Sequence, residues 1–208
     1  MPLKKILSIQ SHVASGYVGN RAAVFPLQCM GYDVIAVNTV QFSNHTGYGK
    51  WKGDIFSKDH IQNILSGLEE HGVLDKIDAV LTGYLGDSSL GHLVLETVEK
   101  IRKKNSNIRY ICDPVMGDVG RGIFVKEDLP RFFQSMAVPA ANVITPNQFE
   151  LTLLTGQKIT NMQSVLKACQ MLHEKGPDII LVTSLITDET KDDEIQMLVS
   201  SKDGTHDL

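Results

Sequence analysis

Three carboxylates in the second half of the sequence have the type and spacing for phosphoryl chemistry. Asp113 closes a β-rich run in Cys112-Asp113-Pro114, Asp118 follows five residues on, and Glu150 stands three residues after Asn147. Such a set can hold Mg²⁺ through some retained waters, and Mg²⁺ bridges nucleotide phosphates. Each residue also has a plainer reading. An Asp before Pro initiates a turn, an Asp among glycines belongs in one, and an acid in a helix's first turn complements the helix dipole. Two glycine-rich stretches add to the pattern. Gly16-Tyr17-Val18-Gly19-Asn20 lets backbone approach a ligand at the start of a helix. Gly117 to Gly122 encloses Arg121, and is either a surface turn or a loop able to close over a nucleotide with its guanidinium near phosphate oxygens. No Gly-x-x-x-x-Gly-Lys-[Ser/Thr] occurs, and neither stretch has full Gly-x-Gly-x-x-Gly spacing after a strand. The absence of a Gly-x-Ser-x-Gly elbow argues against a hydrolase. His12 and His45 lack metal-ligand spacing and read as substrate-contacting or structural.

The elements that must position these residues alternate between short β-branched runs and longer helical ones. Strands are expected at Lys4–Ile9, Asp33–Thr39, Ile77–Thr82, Ile108–Cys112, Asn142–Ile144 and Asp178–Val182, with an edge strand over Glu194–Ser200 that can run antiparallel to its neighbour. Helices are expected at Asn20–Met30, Ser57–His71, Ser88–Lys103 and Ser164–Lys175. The first carries a broad apolar stripe of Ala22, Ala23, Phe25, Leu27 and Met30, with a kink predicted at Pro26. This alternation implies right-handed βαβ units and a three-layer α/β/α arrangement around a mostly parallel central sheet. Ligands of such sheets bind beyond the carboxyl ends of the strands. There the sequence places Gln10-Ser11-His12, Phe42 to Tyr48, Gly83-Tyr84, Asp113-Pro114, Thr145-Pro146-Asn147 and Thr183-Ser184.

Composition narrows the partners. With 208 residues, 42% of them hydrophobic, the chain is expected to form one domain with an ample core. Its 24 acidic residues against 20 basic ones give a net charge of -4, a poor match for nucleic acid. No apolar run approaches the ~20 residues of a membrane span. Cys29, Cys112 and Cys169 form no Cys-x-x-Cys pair, which suits reduced thiols and a cytoplasmic setting.

Six stretches together carry a resemblance: Ser8-Ile-Gln-Ser-His-Val13, Gly16-Tyr-Val-Gly-Asn20, Val40-Gln-Phe-Ser-Asn-His-Thr46, Leu81-Thr-Gly-Tyr84, Cys112-Asp-Pro-Val-Met-Gly-Asp118 and Ile144-Thr-Pro-Asn-Gln-Phe-Glu150. They closely resemble the pyridoxal kinases of the ribokinase-like superfamily, and the match runs through most of the chain. The resemblance implies a ribokinase-like α/β fold and ATP-dependent phosphorylation of the 5′-hydroxymethyl group of pyridoxal, pyridoxine and pyridoxamine. By motif position it implies that Ser11 and Thr46 hydrogen-bond the ring's polar substituents. His45, Gly47 and Tyr84 would line that pocket, with Val40 and Phe42 as apolar contacts. Asp113, Asp118 and Glu150 would order Mg²⁺, and Asp113, Thr145, Asn147, Glu150, Thr183 and Ser184 would lie along the nucleotide. The resemblance further implies a homodimer and a monovalent cation, K⁺ or Na⁺, with Thr145, Thr183 and Ser184 lying along either the nucleotide or that cation's site.

One departure qualifies this reading. The family's catalytic base is an aspartate in a Gly-x-Gly-Asp motif that opens a helix, and no such motif occurs in the 208 residues. The expectation is therefore a kinase domain that is C-terminally incomplete and short of its base. Two alternatives stand beside it: a short product that binds pyridoxal without turnover, and a related kinase acting on hydroxymethylpyrimidine or a sugar.

Overall fold

A computed structural model describes residues 3–188, 190–191, 193–202 and 204–207. The chain divides into two compact units, Met1–Tyr110 and Ile111–Leu208.

In the first unit β1 (Lys5–Ser15), α1 (Asn20–Cys29), β2 (Asp33–Asn44), β3 (Gly53–Ile55), α2 (Lys58–Glu70), β4 (Ala79–Thr82) and α3 (Ser88–Lys104) follow one another. The strands lie in the order β4-β1-β2-β3. β1 is parallel to β4 and β2, and β3 runs antiparallel to β2. β1 and β2 both outrun the sequence expectation, which ended them at Ile9 and Thr39. β4 accompanies β1 only over Ile6–Ile9, but β1 and β2 stay paired as far as Ser15 and Asn44. Their extension is worth forming because Val13, Val40 and Phe42 bury together on one face. Ser11, Val40 and Phe42 are thus strand residues rather than loop residues. Midway the register shifts: Gln10 faces Asn38 while His12 faces Gln41, so β2 spends one residue more than β1. That is a β-bulge, set opposite Ser11.

Helices α2 and α3 follow the sequence closely. Ser57 and Asp87 cap them, accepting from the backbone N–H of His60 and Leu90 at 3.2 Å each. Leu90, Leu93, Val94, Val98 and Ile101 form the buried stripe of α3, while α2 buries Ile61 and Leu65. α1 departs from expectation. It is one helix through Pro26, and Asn20 is its only buried residue. The apolar stripe exists, but Phe25 and Met30 are 72% and 68% exposed.

β5 (Arg109–Cys112) begins in the first unit and ends in the second. There follow β6 (Gly117–Asp118), β7 (Gly122–Ile123), α4 (Leu129–Phe132), a π-helical turn over Phe133–Ala137, α5 (Val138–Ala140), β8 (Val143–Ile144), α6 (Gln148–Thr155), α7 (Met162–His173), β9 (Ile179–Leu185), β10 (Gln196–Ser201) and β11 (Gly204–Asp207). β5, β8 and β9 are parallel neighbours; β10 and β11 continue the sheet antiparallel. The antiparallel β10 agrees with the sequence. The helical run from Leu129 was not expected from the sequence; Pro130 and Pro139 sit in first turns, where no N–H is needed. The core of this unit joins Ile144, Leu151, Leu154, Val165, Leu172, Ile180 and Val182. No helix among the described residues is long and apolar enough to cross a membrane.

Candidate functional site

The first unit gathers neutral groups. Val40 and Phe42 join Val13, and Val18 and Tyr84 pack partly buried against them. Ser11, half-buried, lies opposite the bulge. Gly19 presses against it: a Cβ there would fall 2.1 Å from the Ser11 carbonyl oxygen, and its φ of +54° suits glycine alone. His45, Thr46 and Gly47 sit on a loop clamped at its base. The Ser43 N–H donates to the Lys52 carbonyl at 2.7 Å, the Lys52 N–H returns to Ser43 Oγ at 3.0 Å, and Asn44 Nδ2 donates to the Lys50 carbonyl at 3.0 Å. At its tip His45 meets Tyr48 edge-on, 5.7 Å between centroids, while Thr46 and Gly47 face solvent. Phe42 packs against Trp51, the ring centroids 4.1 Å apart and the planes tilted by 39°. Hydroxyls beside aromatic and aliphatic walls suit a flat, polar-edged ring.

Beneath lies a buried polar network that sequence reasoning missed. Ser8 Oγ donates to Asn20 Oδ1 at 2.7 Å and accepts from Gln10 Nε2 at 2.8 Å. Asn20 Nδ2 donates to the Val37 carbonyl and to Asn38 Oδ1, at 3.1 and 2.8 Å. Thr39 Oγ1 donates to the Tyr84 carbonyl at 2.8 Å. The available signal was the polar residue inside an apolar run, as in Leu7-Ser8-Ile9, because buried polar groups must find partners.

The second unit gathers carboxyls. Asp113 follows β5, and burial pushes its carboxyl up to about 7 although a hydrogen bond with Thr145 opposes the shift. Glu150, buried in the first turn of α6, is pushed up to about 8, first by desolvation and further by the neighbouring Asp113. Its two oxygens accept from the backbone N–H groups of Met116 and Asn147, both at 2.9 Å. Asn147 completes a capping box by accepting from the Glu150 N–H at 2.8 Å, and its Nδ2 donates to the Gly117 carbonyl at 2.8 Å. Thr183 bridges to Asn147, its N–H donating to the Pro146 carbonyl at 3.0 Å. Ser184, next to it, holds a left-handed φ of 52°, uncommon for a residue with a side chain. Asp113, Thr145, Asn147, Glu150, Thr183 and Ser184 therefore share one corner of this unit.

Asp118 adjoins Gly117, whose carbonyl Asn147 holds. It is exposed on the β6–β7 hairpin, where its Oδ1 accepts from the Val119 N–H at 2.7 Å. Arg121, at the hairpin's tip, lies over Phe124, 5.6 Å from the ring centroid. Among the described residues no three His, Cys, Asp or Glu side chains gather closely enough to hold a metal ion. Of the expected trio, Asp113 and Glu150 lie together, with backbone N–H groups on both Glu150 oxygens, and Asp118 faces solvent. The chemistry of Asp113 and Glu150 still suits a cation that keeps most of its waters, since positive charge would relieve two crowded carboxyls.

A family model described as phosphomethylpyrimidine kinase matches residues 23–208. The pyridoxal kinase PdxY of Granulibacter bethesdensis is 52% identical over 198 residues, covering 93% of this chain and 69% of that protein. The human pyridoxal kinase is 48% identical over 183 residues, covering 86% of this chain and 58% of that protein. Among solved structures, the pyridoxal kinase of Leishmania donovani in complex with ADP and pyridoxine superposes with a TM-score of 0.89 at 36% identity, over 98% of this chain and 71% of that one.

Proposed function

Since the chain belongs to the pyridoxal kinase family, with its ribokinase-like α/β fold, we propose that it phosphorylates the 5′-hydroxymethyl group of pyridoxal, pyridoxine and pyridoxamine with ATP. The observation that carries this reading is the gathering of Val40, Phe42 and Tyr84 about one apolar cluster beside Ser11, in a unit free of buried carboxyls. In this reading the first unit holds the ring. Ser11 and Thr46 bond its polar substituents, His45, Gly47 and Tyr84 line it, and Val40 and Phe42 supply apolar contact. The second unit holds ATP along Asp113, Thr145, Asn147, Glu150, Thr183 and Ser184. Asp113, Asp118 and Glu150 would hold Mg²⁺ through water, and Mg²⁺ would supply neutralisation of phosphate charge. K⁺ or Na⁺ beside Thr183 and Ser184, pairing of two copies and a cytoplasmic setting complete the proposal. Removal of the hydroxymethyl proton is assigned to none of these 208 residues, because Gly-x-Gly-Asp does not occur among them.

A second reading, a kinase for hydroxymethylpyrimidine, draws on the description of the matching family. A panel of the three B6 vitamers, hydroxymethylpyrimidine and a sugar, each with ATP, separates the two. Equilibrium binding, ADP formation and product mass are the readouts. Binding confined to the vitamers is the expected result, and preference for the pyrimidine would overturn it. Vitamer binding without ADP formation would favour a non-catalytic pyridoxal-binding protein.

A further inference from the structure

The bulge in β2 places Thr39 where three segments of the ring-binding region converge. Before the bulge Asn38 faces Gln10; after it Gln41 faces His12; Thr39 and Val40 share the space opposite Ser11. Thr39 is 1% exposed and Val40 is fully buried. The Thr39 hydroxyl donates to the Tyr84 carbonyl at 2.8 Å, and its own carbonyl accepts from the Phe56 N–H at 3.0 Å, just beyond β3. A single side-chain oxygen therefore ties the bulge to the Gly83-Tyr84 turn after β4. Thr82 and Gly83, just before Tyr84, pair or bond with β1, Thr82 opposite Ile9 and the Gly83 N–H donating to the Ile9 carbonyl at 3.3 Å. The turn is thus held by β1 at one end and by Thr39 at Tyr84. Tyr84 in turn packs on Val13, Val40 and Phe42.

We infer that Thr39 is a positioning residue for the ring-binding region: its hydroxyl sets the separation between Tyr84 on one side and Val40 and Ser11 on the other. This rests on the proposed role of those residues toward pyridoxal. Valine is nearly the same shape as threonine but cannot donate, so Thr39→Val deprives the Tyr84 carbonyl of this donor at little cost in packing. Thr39→Ser keeps the donor and gives up one methyl group.

The test measures pyridoxal and ATP affinities of the full chain by titration calorimetry, with thermal unfolding alongside, for Thr39→Val, Thr39→Ser and Ser11→Ala. Thr39→Val is expected to weaken pyridoxal binding about tenfold and to leave ATP within about twofold, with Thr39→Ser within about threefold of the parent for both. The inference is overturned if Thr39→Val binds pyridoxal as the parent does, if it loses both ligands together, or if Thr39→Ser fails to restore binding. Ser11→Ala reports on the underlying reading. Unchanged pyridoxal binding there sinks the ring-site assignment itself, whereas a loss there with a silent Thr39→Val sinks only the role of Thr39.

Discussion

The two units differ in whether they bury carboxyls: both bury neutral hydroxyls, Thr187 and Ser200 in the second among them. In the first, Ser8, Gln10, Asn20, Thr39 and Thr82 are buried, all of them neutral, and each has a partner at hydrogen-bond distance. In the second, Asp113 and Glu150 crowd together, and burial raises both above the usual carboxylate range. The amides and hydroxyls of this network pair with one another before any ligand arrives and carry no titratable group, although on β1 His12 keeps a buried Nδ1 with no hydrogen-bond partner. A pair of desolvated carboxyls is incomplete until something positive comes. The first arrangement suits recognition of a polar-edged aromatic alcohol, the second a nucleotide that arrives with its own cation.

Four substitutions or conditions can break or sharpen this contrast. The largest effect is expected at Gly19. Gly19→Ala would drive a Cβ into the Ser11 carbonyl, and pyridoxal affinity should fall by about thirtyfold or more while ATP affinity holds within about twofold. Parallel titrations decide it, and equal loss of both ligands would erase the distinction between the units. Next, Glu150→Gln puts a donating NH₂ where one of the two accepting oxygens stood, so the Met116 or Asn147 N–H goes unsatisfied. The midpoint of chemical unfolding should drop by the equivalent of about 1–2 kcal/mol, with Mg²⁺-dependent ATP binding weakened and pyridoxal binding kept.

Third comes pH. Because the folded chain holds its Asp113 and Glu150 protons up to about 7 and about 8, against 3.8 and 4.5 for the free groups, it binds more protons than the unfolded chain across that interval. The contribution of these groups is therefore most favourable at low pH and declines as pH rises through the folded values. Urea midpoints should be lower at about pH 8.5 than at about pH 5.5, and Asp113→Asn should flatten the slope. A slope unaffected by that substitution would remove the electrostatic half of the contrast. The smallest effect belongs to Thr46→Ala, an exposed hydroxyl on the clamped loop. A threefold or so loss of pyridoxal affinity is expected, with no change in unfolding midpoint.

Much of this was legible in the letters. Strand-helix alternation gave the α/β class, because both faces of a parallel sheet demand apolar runs that few other elements show. The cap at Ser57 and the stripe of α3 are local effects and were readable locally. The ends of β1 and β2 were not. Whether Ser11 and Phe42 belong to strands depends on pairing between segments some 30 residues apart, and on Val13 finding Val40 and Phe42. The exposure of α1 was hidden for a similar reason, since an apolar stripe records capacity for burial and not the presence of a surface to bury against. Glu150 carried two readings, cation site and helix acid. The backbone of Met116, 34 residues away, engages it in a way that no spacing rule anticipates.

The bulge has a consequence for how this chain tolerates change in length. Side chains along a strand alternate between two faces, and the extra residue in β2 inverts that parity: Val37 and Thr39 point inward before it, Val40 and Phe42 after it. Removing one residue between Asn38 and Gln41 would leave the strand intact but turn its far half over, sending Phe42 to solvent and Gln41 inward. A one-residue deletion there should therefore cost far more than the loss of any single side chain it removes, whereas the Thr46–Gly49 tip has room to lengthen or shorten.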